Sequence, residues 1–79
     1  MATKAYILIE TAVGQLKNVA AELSALPGVE TVDPVTGPYD VIAVVDAPDL
    51  NSVGDLVTSR MHSIKGIIRT VTCLSIGTS

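Results

Sequence analysis

Phenylalanine and tryptophan are absent from this 79-residue chain, two tyrosines make up its aromatic content, and it carries one cysteine and one histidine. Each shortage removes a class of protein. Cys73 cannot form an internal disulfide. His62 has no Cys or His neighbour at ligand spacing, so no metal is expected. Five lysines and arginines against eight acids give a formal charge of -3. The bases, Lys4, Lys17, Arg60, Lys65 and Arg69, form no stripe for phosphates, and direct nucleic-acid binding is not expected. No charged segment leads into a short apolar one at the N-terminus, and no run reaches the roughly 18 apolar residues of a membrane span. Acid/base chemistry has few candidates, so no catalytic residue and no cofactor is assigned. An unpaired cysteine fits reducing conditions, and the cytoplasm is the expected compartment.

What is present is apolar. Hydrophobic residues make up 48% of the chain and charged residues 16%, an apolar balance for one small domain. A chain this short buries only roughly 60–65% of the surface its unfolded form exposes. Domains in that position usually add disulfides, a metal or a partner subunit, and only the last is open here.

The stretch Thr36-Gly37-Pro38-Tyr39-Asp40 followed by Val41-Ile42-Ala43-Val44-Val45-Asp46 organises the chain. Gly37-Pro38 makes a turn, since glycine tolerates positive φ and proline fixes its own. The apolar run after it has the length and β-branched content of a buried strand. Tyr39 and Asp40 are thereby held at the mouth of that strand, on a rigid support suited to recognition.

Around it, Thr3 to Glu10 reads as a strand apolar on both faces. Val13, Leu16, Val19, Ala20, Leu23 and Leu26 trace an amphipathic helix that Pro27-Gly28 ends. Val29 to about Thr36 is a polar strand whose Pro34 assigns it to an edge. It pairs with the apolar strand as an antiparallel hairpin. Asp49 is a plausible N-cap for a second helix through Leu50, Val53, Leu56, Val57, Met61 and Ile64. Ile67 to Ile76 is the last strand. The order βαββαβ predicts one α+β domain of ferredoxin-like type, a four-stranded antiparallel sheet with both helices on one face. Right-handed crossovers place strands one and three in the centre. The face without helices is also apolar, which predicts that a second copy covers it, giving a two-fold dimeric α/β sandwich.

Three segments at these positions, Val35-Thr36-Gly37-Pro38-Tyr39-Asp40-Val41-Ile42, Leu26-Pro27-Gly28-Val29 and Gly66-Ile67-Ile68-Arg69-Thr70-Val71-Thr72, are similar to motifs of one family. Across its whole length the chain resembles the effector-binding RAM domain of the Lrp/AsnC (feast/famine) transcriptional regulators. It lacks the helix-turn-helix module of the regulators themselves and looks like a stand-alone member. The resemblance implies a dimer through the sheet faces, assembly of dimers into a ring, commonly an octamer, and an effector, usually an amino acid, held between dimers. It places ligand-binding residues at Thr36, Gly37, Pro38, Tyr39, Asp40, Thr70 and Thr72. Full-length Lrp/AsnC regulators are implied as partners by mixed assembly. A carboxylate such as Asp40 can accept an ammonium, and backbone N–H groups near Gly37 together with threonine hydroxyls can donate to a carboxylate. Pro38, however, has no backbone N–H to donate.

Plainer readings stand beside these. Asp40 also fits a turn cap, Tyr39 a half-buried ring, and Thr70 and Thr72 ordinary strand packing. His62 fits the last turn of the second helix, and Cys73 a small core residue. The leading function is non-enzymatic sensing of a small molecule that modulates transcriptional regulation. The alternatives are a dimeric α/β-barrel type oxygenase or isomerase, an ACT-like amino-acid sensor, and a purely structural assembly subunit.

Overall fold

A computed structural model describes residues 3–77 of the chain. The elements are β1 (Thr3–Thr11), α1 (Leu16–Ser24), β2 (Val29–Pro34), β3 (Val41–Ala47), α2 (Leu50–Asp55), a π-helical turn (Leu56–Met61) and β4 (Ile67–Leu74). The sheet order is β2-β3-β1-β4, and every neighbouring pair is antiparallel. This is the ferredoxin-like arrangement expected from the sequence. The apolar strands lie in the centre, and Pro34 closes an edge strand, where its missing donor breaks no inner ladder.

Period-two alternation decides which side of each strand is covered. Ala5, Ile7 and Ile9 of β1 and Val41, Ala43 and Val45 of β3 are completely buried. Against them pack Val19 and Leu23 of α1, and Val53, Val57 and Met61 of the second helical segment. Both helices therefore sit on one face. On the other face the register sets Tyr6 between Val44 and Cys73, and Leu8 between Ile42 and Val71. Leu8, Ile42, Val44 and Val71 are only half-buried there, and Tyr6 is 37% exposed. Lys4 opposite Asp46 and Glu10 opposite Arg69 bound this apolar patch at its two ends.

Three sequence expectations need correction. The first helix begins at Leu16, not Val13. The backbone turns at Gly14 (φ +79) and Gln15 N–H donates to the Ala12 carbonyl at 3.0 Å, so Val13 leaves the apolar stripe and is fully exposed. The second helix is not α-helical throughout. The His62 N–H donates to the Val57 carbonyl five residues back, and the wider winding aligns Val53, Val57 and Met61, spaced by four, toward the core. The Thr58 hydroxyl takes the Gly54 carbonyl at 2.9 Å, which competes with backbone donors for that oxygen. Leu50, counted in the stripe, is 57% exposed. Third, Cys73 is exposed rather than a core residue, because its register opposite Tyr6 assigns it to the open face.

Asp49 does cap α2, accepting the Ser52 N–H at 2.8 Å. The Ser52 backbone bond, reinforced by the Ser52 side chain, lowers the Asp49 pKa below the usual carboxylate value. A carboxyl that ionises more readily in the folded chain stabilises it fully above the unfolded value. That contribution is lost as pH falls through the folded one. Asp49→Asn keeps an acceptor but cannot titrate. The protection of the Ser52 amide, its exchange rate relative to that of an unstructured chain at the same pH, is followed from about pH 7 to about pH 3 and is expected to fall on acidification more in the wild-type chain than in this variant. Equal acid dependence in the two would rule out the cap.

Candidate functional site

The β2–β3 turn is tied down by its own backbone. The Val35 N–H donates to the Asp40 carbonyl at 2.9 Å, and the Asp40 N–H donates to the Ile9 carbonyl at 2.9 Å. Gly37, at φ +129, takes the left-handed position a side chain would resist. Asp40 then reaches the end of β1. Its Oδ2 accepts the Thr11 N–H at 2.8 Å and the Thr11 hydroxyl at 3.3 Å. Half of the carboxylate thus closes the β1–β3 ladder, a structural task like the turn cap considered above. Oδ1 meets no protein donor among the described residues.

Tyr39 makes a contact that the sequence reading missed. The Arg69 guanidinium lies 5.7 Å from the Tyr39 ring centroid, within cation–π range. Arg69 Nε also sits 3.5 Å from Glu10 Oε1, the two side chains being 60% and 38% exposed. Glu10, Thr11 and Arg69 have no sequence proximity to the turn. Only the pairing of Glu10 with Arg69 across β1 and β4 would reveal them. At the same end Ile68, in the register shift beside Arg69, is 61% exposed.

Thr70 and Thr72 lie elsewhere. They pair with Ile9 and Ile7, whose side chains are buried beneath the helices, so both threonines belong to the helix-side face of edge strand β4. Thr70 Oγ1 is 3.2 Å from His62 Nε2, and His62 follows the π-helical turn. Asp40 and Thr70 flank Ile9 from its two sides. Within one chain, then, Thr36 to Asp40 gathers with Glu10, Thr11 and Arg69. Thr70 stands nearby on the opposite face, and Thr72 is two residues farther along the edge.

A concavity of about 540 Å³ opens instead at the other end of the sheet, between Pro27-Gly28, Asp46 to Pro48 and the second helical segment. It shares no residue with the turn. Among the described residues no group of three His, Cys, Asp or Glu side chains could hold a metal ion, and no helix is long and apolar enough to cross a membrane.

The sheet, its helix-covered face and the rigid polar turn at the mouth of a central strand define a ferredoxin-like α+β module. Residues 4–79 match the family model described as the Lrp/AsnC ligand binding domain, and the chain belongs to that family. An uncharacterized HTH-type transcriptional regulator of Pyrococcus abyssi is 32% identical over 99% of this chain, which spans 54% of that relative. A Thermus thermophilus protein of known crystal structure is 32% identical, with 98% of this chain and 96% of that chain covered and a TM-score of 0.92. A feast or famine regulatory protein of M. tuberculosis, complexed with L-methionine, has the same fold. Its TM-score is 0.82 at 21% identity, over 96% of this chain and 51% of that chain. The chain thus spans about half the length of the regulators it matches.

Proposed function

We propose that this chain is a non-enzymatic effector-binding module, that its ligand is an amino acid, and that ligand binding biases self-assembly to modulate transcriptional regulation. The observation that carries the reading is the turn itself, which holds Tyr39 and the free Oδ1 of Asp40 at the rim of the sheet. The family match and the methionine found in the M. tuberculosis protein support the ligand class. In this reading Thr36, Gly37, Pro38, Tyr39 and Asp40 of one copy, with Thr70 and Thr72, form a pocket that closes where copies meet. The division of these residues between two sheet faces supports a shared pocket, since one copy alone does not surround a ligand.

The assembly rests on the open face. An apolar patch around Leu8, Ile42, Val44 and Val71 with charged ends suits a second copy related by a two-fold axis. Assembly of dimers into a ring such as an octamer, mixed assembly with full-length regulators and a cytoplasmic setting complete the proposal. Coupling between effector and assembly of the usual 1–3 kcal/mol corresponds to affinity changes of about 5- to 150-fold. The enzyme reading draws no support from this site, where His62 lies on the helix side and the Asp40 carboxylate is engaged by Thr11.

Calorimetric titration with the twenty amino acids tests the reading. Saturable heat is expected from a subset at micromolar to millimolar concentrations, together with a ligand-dependent sedimentation coefficient. Flat titrations with every amino acid at millimolar ligand would overturn it.

A further inference from the structure

The turn supplies an acceptor, Asp40, but Pro38 removes one backbone donor and Thr11 already donates to Asp40. An amino acid brings a carboxylate that needs donors as strong as the charge it carries. The open-face side of this end of the sheet offers one cation, Arg69. Its Nε is the atom next to Glu10 Oε1 at 3.5 Å, and its guanidinium carbon lies 5.7 Å from the Tyr39 ring centroid. That leaves both terminal NH2 groups, four of its five donors, uncommitted among the described residues. The side chain is 60% exposed, so those donors are reachable.

We propose that Arg69, beside Glu10 and Tyr39, is the residue that binds the α-carboxylate of the effector. The proposal rests on the effector reading above and assigns a residue that neither the turn motif nor the strand motif singles out. A guanidinium whose Nε faces a carboxylate leaves its terminal edge as a fork, which matches a second carboxylate with two parallel N–H···O bonds. The ammonium is left for the free Oδ1 of Asp40, across β1 from Arg69. The two ends of the zwitterion then meet opposite charges on the strands either side of β1, two spacings of about 4.8 Å apart at the backbone. Arg69 leans over β1 to Glu10, and the remaining gap is one that an α-amino acid bridges with a hydrogen bond of about 2.8 Å at each end. The arrangement recognises the backbone of the ligand and leaves its side chain to the neighbouring copy.

The test compares an amino acid that binds the wild-type chain with its α-carboxamide, which keeps the ammonium and side chain but has no carboxylate. Wild type is expected to bind the acid about 10- to 100-fold more tightly than the amide, the range for a charge-assisted pair. Arg69→Gln is expected to erase that preference, bringing the acid down to the affinity of the amide while amide binding stays unchanged. Arg69→Lys keeps charge without the fork and is expected to fall between. Sedimentation of each variant is measured alongside. Undiminished acid-over-amide preference in Arg69→Gln overturns the assignment and leaves the effector reading standing. Equal loss of acid and amide binding together with dissociation of the assembly also overturns it, making Arg69 an interface residue. Absence of amino-acid binding in the wild type overturns both.

Discussion

Gly66→Ala is expected to leave little folded protein at room temperature. Gly66 has φ +106, a conformation that costs an L-residue about 1–2 kcal/mol. A Cβ there would lie 2.7 Å from Gln15 Cβ and 3.1 Å from Val19 Cγ2. Val19 has no room to yield. Val19 is completely buried, and the Gly66 carbonyl is pinned by the Ala12 N–H at 2.8 Å. Overpacking of this kind adds about 1–3 kcal/mol. Together these approach the whole stability of a domain this small. The contrast is Gly54→Ala, in helix α2 with nothing within 4 Å of the new methyl, where a gain of up to about 1 kcal/mol is expected. Urea denaturation at one protein concentration separates the two, since a self-associating chain melts in a concentration-dependent way. A Gly66→Ala midpoint equal to wild type would refute the packing described for the α1–β4 junction.

The second large effect concerns assembly. Leu8→Glu is expected to convert the protein into a folded species of 8.2 kDa, because Leu8 points to the sheet face that no helix covers. A carboxylate forced into a dry interface costs several kcal/mol, and a two-fold interface meets the same substitution from both copies. A loss of about 4 kcal/mol raises the dissociation constant roughly a thousandfold. Circular dichroism should remain that of the wild type, since the helix-side core is untouched. Ile7→Glu, its buried neighbour, should unfold the chain instead. If the wild-type chain sediments as 8.2 kDa at micromolar concentration, the dimer is wrong, and so is a pocket shared between copies.

Much of this molecule was legible beforehand, for physical reasons. β1 and β3 announce themselves through continuous apolar runs, whose length and β-branched content mark central strands. Pro34 marks the edge, since a ladder cannot use a residue without an N–H. Asp49 reads as a cap because the preference is local. Val13 misled because its spacing fits the helical stripe, while the chain there turns at Gly14 (φ +79) beside a long-range bond from the Ala12 N–H to the Gly66 carbonyl. The π-helical turn was invisible for a related reason. Val53, Val57 and Met61 fit either winding, and the Thr58 hydroxyl bond that accompanies the wider one leaves no pattern in hydrophobicity. Cys73 looked like core until register turned it outward.

The candidate site divides the same way. The turn from Thr36 to Asp40 is a short-range object, and glycine, proline and aspartate state their geometry within five residues. Its partners are long-range. Thr11 on Asp40, and Arg69 against Tyr39 and Glu10, arise from strand register, which places residues 29 or more apart in contact.

By itself, then, the sequence determined the order of the elements, the central strands and the polar turn, because each follows from propensity and spacing within a few residues. Only the tertiary structure decided which face each threonine, cysteine and arginine occupies, and which half of Asp40 is already spent. A one-residue change of register inverts every side chain of a strand, and no local signal sets it.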